Sequence, residues 1–169
     1  MTEPTLIDIL DRLKNRFFGK YRGSVTEVDA ATMRIKAKVP AVLGTTPTGW
    51  CAACVPYAGP GVGWAFLPEV GSGVWIEFEG GDVSLPIWVG CYWRDTEAKP
   101  TGADANVKVL ATTAHTVTLD VDGTKLLIAD TNENEITFAS SGITLKRGGG
   151  TVDVADGKVT VNGGSLEVI

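Results

Sequence analysis

Apolar and polar residues alternate along most of this chain, and the period changes once. Near the start, Leu6, Ile9, Leu10, Leu13 and Phe17 recur every three to four positions, which predicts a helix over residues 5–18 with one apolar stripe. Asp8 and Asp11 come early and Lys14 and Arg16 late, as the helix macrodipole favours, and Gly19 is the expected stop. Beyond it the period falls to two. Strands are expected over residues 20–28, 33–39, 50–57, 74–78 and 87–91. Asp29-Ala30-Ala31, Gly59-Pro60-Gly61, Gly71-Ser72-Gly73 and Gly80-Gly81-Asp82 supply turns, and residues 40–49 a loop. Trp50, Trp64, Trp75, Trp88 and Trp93 all fall in the stretch 50–93, the expected compact centre. Five short strands with a longer connection after the third suit a small closed barrel of the OB type.

Residues 95–105 are polar, contain Pro100 and Gly102, and read as a linker. The remainder reads as short strands whose apolar residues fall in pairs: Val117 with Leu119, Leu126 with Ile128, Ile136 with Phe138, Ile143 with Leu145, Val152 with Val154, Val159 with Val161, and Leu166 with Val168. From Ile136 onward the pairs form a short repeat. Each strand offers too few apolar side chains to enclose a core alone, so burial is expected against copies of the same chain, with threefold wrapping to pair the strand edges. Seven such strands at about 4.8 Å each would extend roughly 34 Å. Asp120, Asp122, Asp130, Glu135 and Asp153 are expected to point outward and keep this stalk soluble.

Composition narrows the function classes. The chain has 169 residues, 44% of them apolar, which is ample for a core. It contains no apolar run long enough for a transmembrane span or a secretory signal, so a protein made and left in a cytoplasm is expected. Residues 101–169 hold nine acidic against five basic residues, a balance of −4, and neither half clusters positive charge, so no nucleic-acid partner is expected. The basic alternation Arg34, Lys36, Lys38 reads as a solvated strand face.

Candidate chemistry is thin. Cys51-Ala-Ala-Cys54 invites a redox or zinc reading, but His115 is the single histidine and the motif falls in a strand rather than at a helix N-terminus, so small buried thiols are expected for Cys51, Cys54 and Cys91. His115 itself is a weak metal candidate, through three copies on a threefold axis. Glu77 and Glu79 lie at period two on one strand face, where surface roles are expected, and no nucleophile elbow or phosphate loop is present. No catalytic residue and no cofactor is therefore expected.

Several motifs together carry a resemblance: Lys20-Tyr21-Arg22-Gly23-Ser24-Val25, Arg34 to Pro40, Pro56-Tyr57-Ala58-Gly59, Leu67 to Phe78, and Gly81-Asp82 to Pro86-Ile87-Trp88-Val89-Gly90. In this order they resemble the OB-fold domain of central spike proteins in contractile injection machines, namely phage baseplate assembly protein V and the type VI secretion VgrG proteins. Met33 departs from the glycine many relatives carry before Arg-Ile, and Val83-Ser84-Leu85 replaces the usual Pro-containing turn.

The resemblance implies an all-β chain: a five-stranded OB-type barrel followed by a trimeric intertwined β-helix or β-prism stalk, with one short N-terminal helix. The expected divisions are 1–18 helix, 19–94 barrel, 95–105 linker and 106–169 stalk. The implied function is a homotrimeric needle in a contractile tail baseplate or related particle, joining a hub to a tip and making transient contact with the membrane it pierces. Only the helix precedes the barrel, so a separate hub protein is expected, contacted through Leu6, Ile9, Leu10, Leu13 and Phe17. The chain lacks the His-X-His apex of some relatives, so a PAAR-type tip protein is expected on Leu166, Val168 and Ile169. The competing readings are a stand-alone OB module for single-stranded nucleic acid or oligosaccharide, with Tyr21, Trp50 and Trp88 as stacking platforms, and a CxxC oxidoreductase.

Overall fold

The structure, a computed structural model, describes residues 6–7, 10 and 14–168. The chain divides into two compact units, Met1–Glu97 and Ala98–Ile169.

The first unit is built on a five-stranded sheet of order β2-β1-β6-β7-β3. Its strands are β1 (Tyr21–Asp29), β2 (Arg34–Lys38), β3 (Ala52–Ala53), β6 (Gly73–Phe78) and β7 (Pro86–Tyr92), with a separate hairpin of β4 (Ala58–Gly59) and β5 (Val62–Gly63). Alternation along β1, β2 and β6 sends Val25, Ile35, Ala37, Val74, Ile76 and Phe78 to one side, where they meet Val39, Cys51 and Trp88 in the core. The sheet curls until its two edges meet. The Cys51 N–H donates to the Ile35 carbonyl at 2.8 Å, while Ala52 and Ala53 pair parallel to Ile87 and Trp88 of β7. Buried Thr48 ties the same corner: its hydroxyl accepts from the Ala37 N–H at 3.0 Å, and its own N–H donates to the Ala37 carbonyl at 2.8 Å.

Four expectations change here. The strand expected over 50–57 is reduced to Ala52–Ala53, because the backbone must cross from β2 to β7 within a few residues. Residues 40–49 are not all loop, since Pro40–Leu43 forms one helical turn opened by proline. Met33 does not begin β2; it closes the preceding turn at φ 55°, in the left-handed region. Glu79 lies in the 3-10 turn Glu79–Gly81, beyond the strand that holds Glu77.

The N-terminal helix is also shorter than expected. Leu6, Ile7, Leu10 and Lys14 are helical, but Arg16 to Phe18 are not. Phe17 instead docks on its own barrel: its N–H donates to the Gly81 carbonyl at 2.9 Å, and its ring packs edge-on to Tyr21 and Phe78. Ile9 and Leu13 lie outside the described residues.

The second unit is one eight-stranded antiparallel sheet in sequence order: β8 (Val107–Ala111), β9 (His115–Asp120), β10 (Lys125–Asp130), β11 (Asn134–Ala139), β12 (Gly142–Arg147), β13 (Gly150–Ala155), β14 (Lys158–Val161) and β15 (Leu166–Val168). β8 is additional to the seven expected strands. Within one chain each strand joins the next by a tight turn, so the sheet is a meander. Gly142 enters β12 at φ 134°, and a Cβ there would lie 2.2 Å from the Val154 carbonyl oxygen on the neighbouring strand β13.

Candidate functional site

The register of the second unit sorts its side chains into two unlike faces. Residues directly opposite in a ladder share a face. Leu110, Val117, Ile128, Ile136, Leu145, Val152, Val161 and Leu166 therefore form one continuous row across all eight strands. A second row on the same face runs Leu119, Leu126, Phe138, Ile143, Val154 and Val159. Six of the seven expected apolar pairs, and Leu166 of the seventh, thus lie on this face. The other face carries Thr118, Thr137, Thr144, Asp153 and Thr160, with Lys146 and Glu135 in an ion pair at 2.9 Å and the Thr144 hydroxyl donating to Asp153 at 2.7 Å.

The apolar face is not covered by its own chain. None of the described residues of this unit is buried, and Leu145, Phe138 and Ile136 remain 48%, 41% and 37% exposed. A groove of about 580 Å³ runs along the face, floored by Ile128, Ile136, Leu145 and Val152. An apolar surface this continuous is unfavourable in water and marks an interface.

One edge of that face is polar. His115 pairs with Asp130, and Asn134 with Arg147, across adjacent strands. Asp130 was expected to point outward; period two from Leu126 and Ile128 instead puts it on the apolar side, at its rim. There it accepts from the Asn134 side chain at 2.7 Å and from the Asn132 and Asn134 N–H groups, which hold its carboxyl down at about 2. His115 is exposed on the same rim. Among the described residues, no group of three His, Cys, Asp or Glu side chains is placed to hold a metal ion.

The barrel offers different surfaces. Arg22 lies 5.5 Å from the ring centroids of both Trp75 and Tyr92, a cation over two rings that pack against each other at 5.0 Å. On β2, Lys36 pairs with Glu27 at 3.0 Å and covers the Trp50 ring at 4.7 Å, so the basic alternation is partly neutralised. Trp88 is buried in the core, and Tyr21 packs against Phe17 and Phe78 while its hydroxyl donates to the Phe18 carbonyl at 3.0 Å. Two of the three aromatic platforms needed for base stacking are thus structural.

The thiols fare similarly. Cys51 sits in the core with its sulfur 3.2 Å from the Thr48 hydroxyl, and burial pushes its pKa up. A redox-active cysteine needs the opposite shift. Cys54 and Cys91 are exposed, not buried as expected: Cys54 lies past the short β3, and Cys91 is an exposed position of β7.

A second apolar patch was missed by sequence reasoning. Tyr57, Val62, Trp64 and Phe66 around the β4–β5 hairpin are each about half exposed, and Met33 joins Tyr57, Val62 and Trp64 along a groove of about 490 Å³. The hairpin turns at Pro60-Gly61, with Gly61 at φ 73°, the signature of a type II turn. Of the N-terminal stripe, Leu6 and Leu10 are exposed, and Leu166 is exposed near the last strand. The side chain of Val168 and all of Ile169 lie outside the described residues.

Comparison with known protein families places both units. Residues 21–93 match the type VI secretion system/phage-baseplate injector OB domain. Residues 106–167 match the phage baseplate V C-terminal trimerisation domain. A search of curated proteins returned no match.

Proposed function

Because the chain belongs to the baseplate V spike family of phage tails and type VI secretion systems, and its role there is structural, we propose that it forms the homotrimeric central spike of a contractile injection particle. The observation that carries this reading is the uncovered apolar face of β8–β15, which coincides with the trimerisation domain. Three copies packing these faces around an axis would bury both rows, with Val117, Leu119, Leu126, Ile128, Ile136, Phe138, Ile143, Leu145, Val152, Val154, Val159 and Val161 as the stalk core. Intertwining of the three chains into a β-helix or β-prism is part of the proposal, as is the division into barrel (19–94), linker (95–105) and stalk (106–169).

A spike works mechanically. Contraction of a surrounding sheath drives a stiff, fully hydrogen-bonded point forward, and the chain's own contribution is rigidity and register rather than reaction chemistry. The barrel end would grip a hub protein through the Leu6 and Leu10 stripe, with Ile9 and Leu13 on the same helical spacing. Phe17 supports that grip from behind by anchoring the segment to Phe78 and Gly81. The C-terminal end, around Leu166, Val168 and Ile169, would carry a tip protein of the PAAR type before the target envelope is met.

The test is genetic and visual. In the cell that produces the particle, deletion of this chain should leave no intact baseplates by electron microscopy, and the wild-type chain should restore them. A Leu6→Asp/Leu10→Asp chain should still trimerise yet fail to restore particles. Normal particles in the deletion strain would overturn the spike reading.

A further inference from the structure

The apolar face carries one cation that its own chain leaves unanswered. Arg147 ends β12 on the same face as Ile143 and Leu145, at the rim of the 580 Å³ groove. Among the described residues its guanidinium has no ion pair or hydrogen bond, although a fork of donors beside a face to be buried demands one. Most carboxylates of this unit are already engaged. Asp130 accepts from Asn134, Asp120 from the Gly123 N–H, Asp122 from the Asn106 amide, Asp153 from Thr144, and Glu135 pairs with Lys146.

Asp156 is different. It is exposed in the turn between β13 and β14, and it has no partner among the described residues. It stands two positions past Val154, at the end of β13 opposite to Gly150, the ladder partner of Arg147. A strand of six residues spans roughly 17–20 Å, so Arg147 and Asp156 of one chain sit at opposite ends of the strands and cannot meet. Along the stacking direction, however, they belong to neighbouring strands, only about 5 Å apart.

This arrangement suits a ring of identical subunits. A threefold interface is heterologous: the strand ends on one side of each sheet meet the opposite strand ends of the next. We propose that Arg147 of each copy forms an ion pair with Asp156 of the next copy, locking the register of the three sheets. The inference rests on the trimeric reading of the same face. The apolar rows supply the driving force but are nearly uniform along the stalk, so a slip of one strand would still bury Leu against Ile. A charge pair at one height per corner would penalise that slip.

Cross-linking tests the pairing directly. In the full chain with Cys54→Ser and Cys91→Ser, leaving buried Cys51, the variant Arg147→Cys/Asp156→Cys is oxidised mildly and run on a denaturing, non-reducing gel. Covalent dimers and trimers are expected, whereas each single-cysteine variant should run as monomer, and within one chain the separation is too large for a disulfide. Monomer bands from a sample whose solution mass is trimeric would overturn the pairing and leave the trimer standing. A monomeric solution mass would remove both. Independently, Arg147→Glu should lower the thermal midpoint and Arg147→Glu/Asp156→Arg should recover it; a double variant no better than the single one would also count against the pair.

Discussion

Phe138 offers the sharpest way to separate folding of one sheet from association of three. Its ring stands between Leu126 and Ile143 on the neighbouring strands, yet 41% of the residue stays exposed in a single chain. Taking about 200 Å² for a phenylalanine side chain, roughly 80 Å² remains for other subunits to cover. At about 25 cal/mol per Å² this is worth about 2 kcal/mol per copy, or about 6 kcal/mol per trimer. Phe138→Ala should therefore raise the overall trimer dissociation constant by about four orders of magnitude. Because the midpoint concentration of a trimer follows the square root of that constant, half-dissociation should move to about a hundredfold higher protein concentration. Sedimentation equilibrium over a dilution series reads this shift. Thr137→Ala is the control, since Thr137 lies one residue away on the polar face, paired with Leu127 and Thr144. Equal dissociation of wild type and Phe138→Ala, or an equal effect from Thr137→Ala, would refute the assignment of the two faces.

Three further outcomes are expected. Gly142→Ala should cost more than about 2 kcal/mol, because the new methyl meets the Val154 carbonyl at a left-handed φ; an unchanged melting temperature would contradict this. At Met33, φ 55° predicts that Met33→Gly leaves barrel stability within about 1 kcal/mol of wild type while β-branched Met33→Val loses more than that, measured by denaturant unfolding; the reverse order would be wrong for that backbone. Asp130, held at about 2 by the Asn134 side chain first and then by backbone donors, lies below the ordinary carboxylate value. Its contribution to stability is therefore complete above about pH 4 and disappears as pH falls through about 2, so its carboxyl carbon should titrate near 2 by NMR rather than near 4.

Much of the second unit was legible because period two is unambiguous when Thr and charged residues intervene. Ile136-Thr137-Phe138 and Ile143-Thr144-Leu145 declare their faces without a structure. β8 was not legible: Val107 and Val109 fall on the polar side and Lys108 with Leu110 on the other, so the contrast that marks a strand is inverted. In the barrel, the five-stranded sheet followed from alternation and glycine turns, but the shortness of β3 did not. That comes from the crossing at Cys51, a long-range requirement that the run Trp50 to Tyr57 does not encode. Phe17 was placed on the helix by spacing, whereas the aromatic pocket of Tyr21 and Phe78 draws it to the barrel. The β4–β5 patch escaped notice because its apolar residues sit among glycines and read as turn chemistry. Asp130 escaped because a strand-end carboxylate looks solvent-facing until its register is known.

Everything proposed for the stalk depends on its apolar face meeting other copies. Absolute mass in solution, by light scattering behind a sizing column, tests this most directly. A particle of three 17.8 kDa chains is the expected result, unchanged on moderate dilution. A stable monomer with the β8–β15 sheet intact would contradict it, because two rows of Leu, Ile, Val and Phe would then be standing in water with nothing to cover them.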